Sequence, residues 1–69
     1  MKELTLSEFR ELPFGTNIVV HINMPYLNRD ETYNAVVVRD MIYYEDGKAD
    51  EIRTIEEYMF DDFATVYLR

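Results

Sequence analysis

The residues of this chain best suited to binding chemistry are carboxylates that occur in adjacent pairs. Four pairs lie between residues 45 and 62 and recur every five or six residues: Glu45-Asp46, Asp50-Glu51, Glu56-Glu57 and Asp61-Asp62. On an α-helix, that separation corresponds to a rise of about 7.5–9 Å. Phosphates along a nucleic-acid strand are spaced on a similar scale. The pairs therefore predict a row of negative charge that the Lys and Arg side chains of a DNA-binding protein could grip.

The negative charge is concentrated in the later part of the chain. Residues 1–39 contain five acids and four bases, whereas residues 40–69 contain nine acids and three bases. The whole chain has a net charge of −7, which opposes direct binding to nucleic acid or to anionic membranes. A positively charged partner is expected. Acidic pairs also occur on the solvated faces of ordinary helices and in turns, so an interpretation in which they serve only solubility stays open.

The other reactive side chains are too few for a catalytic or metal site. His21 is the only histidine, Ser7 is the only serine, and cysteine is absent, so a nucleophile, its base and a zinc ligand set all lack members. The segment 46–51 lacks the alternating ligands of a calcium loop, and two glycines are too few for a phosphate-binding loop. We expect a binding protein rather than an enzyme, without cofactor or metal.

The elements that must position the acids begin with a short helix, predicted over residues 6–11. Thr5 and Glu8 have the spacing of a capping box, in which each side chain satisfies a free backbone N–H of the first turn. Leu4 and Phe9 occupy the two positions of a hydrophobic staple around the same turn.

Strands are predicted next. Alternation of apolar and polar residues over 16–24 predicts a half-buried strand with His21 on its more polar face. A polar loop over 25–32 and a second strand over 33–44 follow. The Asp46-Gly47 pair then favours a tight hairpin turn, and residues 65–68 are predicted to form a last strand.

The segment after the Asp46-Gly47 turn fits two structures. As a strand, residues 48–55 would pair back along 38–45 in a long hairpin. As a helix, it would begin with Asp50 as N-cap and carry an apolar stripe at 3-4-4 spacing. The stripe fits better than strict alternation, so we favour the helix. Its members are Ile52, Ile55, Met59 and Phe63.

Together these elements predict one α+β domain over residues 1–69. It would combine a small antiparallel sheet with a short N-terminal helix and a C-terminal helix. If residues 48–55 formed a strand instead, a small SH3-like β-barrel would be the alternative. Neither a signal peptide nor a membrane span is expected, since the longest apolar run, 35–38, has only four residues. A cytoplasmic location is expected.

The aromatic residues offer a second kind of binding surface. Tyr43 and Tyr44 are consecutive on a predicted strand and must therefore point to opposite faces of the sheet. Since tyrosine is enriched in protein interfaces, a Tyr-rich sheet face or an exposed sheet edge could bind a partner or a second copy of the chain. In that alternative the chain is an interaction adaptor, and its acidity serves solubility.

In its length, its acidity and its carboxylate pairs from Glu45-Asp46 to Asp61-Asp62, the chain resembles the small acidic host-takeover proteins of bacteriophages. It is most similar to those that mimic DNA, such as inhibitors of nucleoid-associated HU proteins. The resemblance implies an inhibitor that acts in the bacterial host's cytoplasm. Such an inhibitor would occupy the basic DNA-binding surface of its target and compete with DNA.

Overall fold

The centre of the fold is a long antiparallel hairpin whose two strands run beside each other from Asn17↔Val36 to Met24↔Arg29. The computed structural model describes all 69 residues, with a six-stranded antiparallel sheet and two α-helices. The helices are α1 (Leu6–Arg10) and α2 (Ile52–Phe60). The strands are β1 (Lys2–Glu3), β2 (Asn17–Met24), β3 (Arg29–Val38), β4 (Met41–Tyr44), β5 (Ala49–Glu51) and β6 (Ala64–Leu68).

The spatial order of the strands is β1-β6-β2-β3-β4-β5. The last strand of the chain therefore lies inside the sheet, between β1 and β2. The sheet is open, with β1 and β5 at its edges, which confirms the predicted α+β class. The alternative of a closed SH3-like barrel is wrong.

The N-terminal helix forms for the predicted reason. The Glu8 backbone N–H donates to the Thr5 hydroxyl, and the Thr5 backbone N–H donates to the Glu8 carboxylate at 2.9 Å. Lys2 also donates to Glu8. These hydrogen bonds, with that from Lys2 the strongest, lower the pKa of Glu8 to about 2. Leu4 and Phe9 are both buried, which is consistent with the predicted staple.

The core lies between one face of the sheet and the two helices. In β2 the predicted alternation is confirmed, because the side chains at positions 18, 20, 22 and 24 are all buried in the core. From the helix side, Phe9 of α1 and Ile55 of α2 pack against this face. The opposite face of the sheet carries no helix. It is the open face, and it exposes Tyr43 while Tyr44 points into the core, as their consecutive positions predicted.

The predicted second strand, 33–44, is in fact two strands. β3 begins earlier, at Arg29, so the second half of the predicted loop 25–32 is strand, and the first half contains a short 3-10 turn over Pro25–Leu27. β3 ends at Val38, and a tight turn leads into β4. In this turn Arg39 adopts the left-handed conformation, with φ 55°.

The segment after the Asp46-Gly47 turn, for which both a strand and a helix were considered, contains first a strand and then a helix. Residues 49–51 form β5, which pairs with β4 after the predicted Asp46-Gly47 turn. The chain then becomes helical at Ile52. The prediction that Asp50 is the helix N-cap is wrong, because Asp50 pairs with Ile42 within the sheet and Glu51 is the N-cap.

Candidate acidic binding surface

The four carboxylate pairs lie on two kinds of element. The first two pairs belong to the β4–β5 hairpin, whereas Glu56-Glu57 lies within α2 and Asp61-Asp62 follows directly at its end. The spacing expected for a single helix therefore applies only to the later two pairs. The fold does not align all eight carboxylates along one helix.

Three of the predicted acids line one groove on the exposed side of α2. Glu56, Glu57 and Asp61 surround Phe60 in a shallow groove of about 350 Å³. The Phe60 side chain is 79% exposed, although an aromatic ring of this size is normally buried. We call this surface the α2 groove.

Two arginines complete the α2 groove, and each is paired with one of its acids. Arg10 of α1 donates to Glu56, which fixes α1 against α2. Arg53 lies 3.9 Å from Glu57 one helical turn away, and both side chains are mostly exposed. Exposed pairs of this kind contribute little stability, so Glu57 is free to exchange Arg53 for an external cation.

A second concave surface continues from the α2 groove toward the beginning of the helix. Arg53 and Glu56 belong to both, and the extension adds Glu51 together with Asp40 from the β3–β4 turn. The negative charge around α2 therefore extends from Asp40 to Asp61. Asp40 was not among the predicted site residues, because it is a single acid and not one of a pair. It lies beside Glu51 and Glu56 only in the folded structure.

The charges of α2 oppose the preference of its backbone dipole. Its first turn contains no acid apart from the preceding N-cap Glu51, and its last turn contains no base. Asp61 is the C-cap, and Asp62 follows in the left-handed conformation with φ 61°. Carboxylates at a helix C-terminus face the negative end of the dipole and are unfavourable there. Asp61 and Asp62 therefore do not stabilise the helix electrostatically.

The remaining predicted acids lie away from the α2 groove. Asp62 faces a different groove, beside Glu3. At the β4–β5 hairpin, Glu45 lies 3.4 Å from Arg69, and Asp46 accepts a hydrogen bond from the Lys48 backbone N–H within the turn.

Asp50 has a structural partner. The Tyr44 hydroxyl donates to its carboxylate at 2.7 Å, which ties β4 to β5. Burial raises the pKa of the Tyr44 phenol, and the hydrogen bond to Asp50 raises it further. Asp50 is half-buried, so it is less accessible to a partner than the acids of the α2 groove.

The open face of the sheet is a separate surface with few charges. His21 lies on it, as predicted, with its Nε2 atom 2.6 Å from the Asp30 carboxylate. Tyr43 is 45% exposed and pairs across the strands with Val36. This arrangement provides an uncovered aromatic and aliphatic area that is distinct from the α2 groove.

The sequence interpretation missed Phe60, although a signal was present. The predicted apolar stripe at 52, 55, 59 and 63 does not include position 60, so a large apolar side chain there had to lie outside the buried face. Its position between two acidic pairs placed this exposed apolar residue beside the predicted acids.

The structure contains neither a metal-binding cluster nor a membrane-spanning helix. No group of three or more His, Asp or Glu side chains is arranged to hold a metal ion. Neither helix has the length and apolar character needed to cross a bilayer.

Comparison of the chain with protein-family models, curated protein sequences and solved structures finds no match.

Proposed function

We propose that this chain is a DNA-mimicking inhibitor that binds the basic nucleic-acid-binding surface of a bacterial DNA-binding protein, such as HU, and competes with DNA. The observation that carries the proposal is the α2 groove, where Glu56, Glu57 and Asp61 surround an exposed Phe60. Carboxylates in this arrangement attract the Lys and Arg side chains that otherwise hold phosphates.

The groove supports binding better than it supports a purely solubilising role. A surface that serves only solubility disperses its charges and exposes few large apolar side chains. Here a 79% exposed Phe60 lies between acids, and one of the acids, Asp61, is the C-cap of α2, where a carboxylate disfavours the helix. An aromatic anchor among charged residues is a typical arrangement at protein interfaces.

The test is competition for a bound duplex. A fluorescent DNA duplex bound to purified HU should be displaced by this protein, and the displacement should weaken steeply as salt rises. Charge reversal in the double variant E57K/D61K should abolish most of the competition. The matched control E3K/E11K makes the same change in net charge outside the groove, and it should have a much smaller effect. Equal losses in the two double variants would contradict the proposal.

A second variant tests the contribution of the Phe60 ring to binding separately from the contribution of the acids. Phe60→Ala should weaken competition by about tenfold or more, as expected for an interface aromatic residue. Its thermal midpoint should stay close to that of the parent, because the side chain is exposed.

The open face of the sheet favours a second candidate, an interaction adaptor that binds through Tyr43 and its apolar neighbours. An adaptor of this kind would bind its partner with weak salt dependence. Tyr43→Ala would remove its binding, whereas E57K/D61K would leave it unchanged. The two functions therefore give opposite patterns with the same variants.

A further inference from the structure

More than half of β3 lacks a neighbouring strand on one side, although β3 lies inside the sheet. β4 pairs with β3 only from Ala35 to Val38, and after Glu45 the chain turns away into the hairpin. On this side, residues 29–34 of β3 have no neighbouring strand. Asp30, Glu31 and Thr32 are all exposed.

The direction of the free backbone groups follows from two observed hydrogen bonds. The Asn34 carbonyl accepts from the Glu45 N–H, so the main chain of residue 34 faces the β4 side. The Val37 N–H donates to the Thr16 carbonyl, so residue 37 faces the other side. Because these directions alternate along a strand, the N–H and C=O groups of Thr32 and Asp30 also point to the β4 side. They form a ready template for one more strand.

A cleft of about 340 Å³ lies directly beside this free edge. Tyr33 and Tyr44 contribute their rings, whose centroids are 5.0 Å apart. Three acids, Glu31, Asp46 and Asp50, and two bases, Arg29 and Lys48, also line the cleft. Arg29 donates to Glu31 at 2.8 Å, and the lining holds one acid more than it holds bases. The arrangement fits a long cationic side chain, whose aliphatic stem would pack on the rings while its charged end reached a carboxylate.

We propose that residues 30–34 of β3 and this cleft form a strand-addition site for an extended peptide that carries Lys or Arg at alternate positions. The peptide backbone pairs with Asp30 and Thr32, and every second side chain enters the cleft. The intervening side chains lie over the open face of the sheet, beside Thr32 and Asn34. This site is separate from the α2 groove and does not depend on the DNA-mimic proposal.

The negative net charge of the protein favours binding of a cationic peptide over pairing with a second copy of the chain. Each copy carries a net charge of −7, and a second copy would bring its own Asp30 and Glu31 to the same edge. Charged residues on an edge strand are a common protection against self-pairing. The same acids attract a Lys-bearing strand.

The probe is a fluorescein-labelled peptide of sequence Thr-Lys-Val-Lys-Val-Lys-Val-Thr. Fluorescence anisotropy should give saturable binding with a dissociation constant below about 1 mM. The same peptide with Glu in place of Lys should not bind. A peptide N-methylated at alternate positions cannot donate its backbone hydrogen bonds to the edge, and it should bind at least about tenfold more weakly.

Variants of the protein locate the site. Thr32→Pro removes the N–H that points to the free side, a position where an edge strand tolerates proline, and it should weaken binding by about tenfold. E57K/D61K changes only the α2 groove, and at about 0.15 M salt, where long-range attraction is largely screened, it should weaken peptide binding far less than Thr32→Pro does. In the unmodified protein, which needs no variant to fold, amide exchange at Asp30 and Thr32 should slow when the peptide is added.

Three results would overturn the proposal. They are equal binding of the N-methylated peptide, slowed exchange confined to another element, and no binding of the Lys peptide. Slowed exchange at Asp30 and Thr32 without peptide, together with a doubling of mass at high concentration, would show that a second copy occupies the edge instead.

Discussion

Glu8 is the residue whose local environment has the clearest consequence. Its carboxylate accepts hydrogen bonds from Lys2 and from the Thr5 backbone N–H, which hold its pKa near 2. The charged form is therefore stabilised by folding. This contribution is complete above the ordinary pKa of 4.5 and is lost as the pH falls toward 2.

A prediction follows for Glu8→Gln. At neutral pH the variant should have a lower free energy of unfolding than the parent. The neutral amide that replaces the carboxylate loses the ion pair with Lys2 and the charge-assisted hydrogen bond from the Thr5 backbone N–H. The difference should shrink as the pH falls from about 4.5 to about 2, where the parent's carboxylate becomes protonated. Urea unfolding followed by circular dichroism at a series of pH values measures it. A difference that stays constant down to pH 2 would contradict the assigned pKa.

At the scale of single elements, α2 carries carboxylates at its C-terminal end, where they interact unfavourably with the helix dipole. Glu51 precedes its first turn, where a carboxylate is favourable, whereas Asp61 and Asp62 lie at the end where carboxylates are unfavourable. Asp62 also holds the left-handed conformation that closes the helix, with the Phe63 N–H donating to the Tyr58 carbonyl. Asn tolerates this conformation and carries no charge.

Two variants with the same change in charge should therefore have opposite effects on stability. Asp62→Asn should raise the free energy of unfolding by about 0.3–1 kcal/mol, because it removes charge from the negative end of the dipole. Glu51→Gln should lower it by a similar amount. Chemical denaturation of both variants at low salt provides the measurement. Changes of the same sign would show that the helix dipole is not the dominant effect.

How far the sequence predicts these elements depends on whether their signals are local. The capping box and the alternation in β2 involve neighbours in the chain, and both are confirmed. The turn at Arg39 contains no glycine, proline or asparagine, and the only local signal of the break between β3 and β4 is the charged pair Arg39-Asp40 between two apolar runs. β5 is only three residues long and takes its conformation from pairing with β4.

The same limit applies to the candidate site. That Glu57 and Asp61 lie on the exposed side of α2 could be predicted from helical periodicity. The contribution of Asp40 to the surface depends on how α2 is oriented relative to the sheet. The engagement of Asp50 by the buried Tyr44 depends on the β4–β5 register, which sequence periodicity alone does not define.

At the scale of the whole molecule, repulsion among the acids competes with a small set of ion pairs. Five Lys or Arg side chains are paired with carboxylates, and at least one side chain in each pair is well exposed. Such pairs contribute about 0–1 kcal/mol each. The remaining acids keep the net charge at −7, which opposes a compact state.

Salt should therefore stabilise this protein. Raising NaCl from about 0.01 to about 0.1 M shortens the Debye length from about 30 to about 10 Å, which screens the long-range repulsion more than the close pairs. We expect the thermal midpoint to rise by about 4–8 °C, equivalent to about 1 kcal/mol for a domain of this size. Differential scanning calorimetry measures the shift. A fall in the midpoint would mean that the ion pairs outweigh the repulsion.

The position of β6 between β1 and β2 has a consequence for biosynthesis. β2 leaves the ribosome early, yet one of its two edges stays unpaired until residues 64–68 have been synthesised. Until then Val20 and Ile22 lack the neighbours that β6 provides. The nascent chain thus carries an incomplete sheet until β6 has left the ribosome.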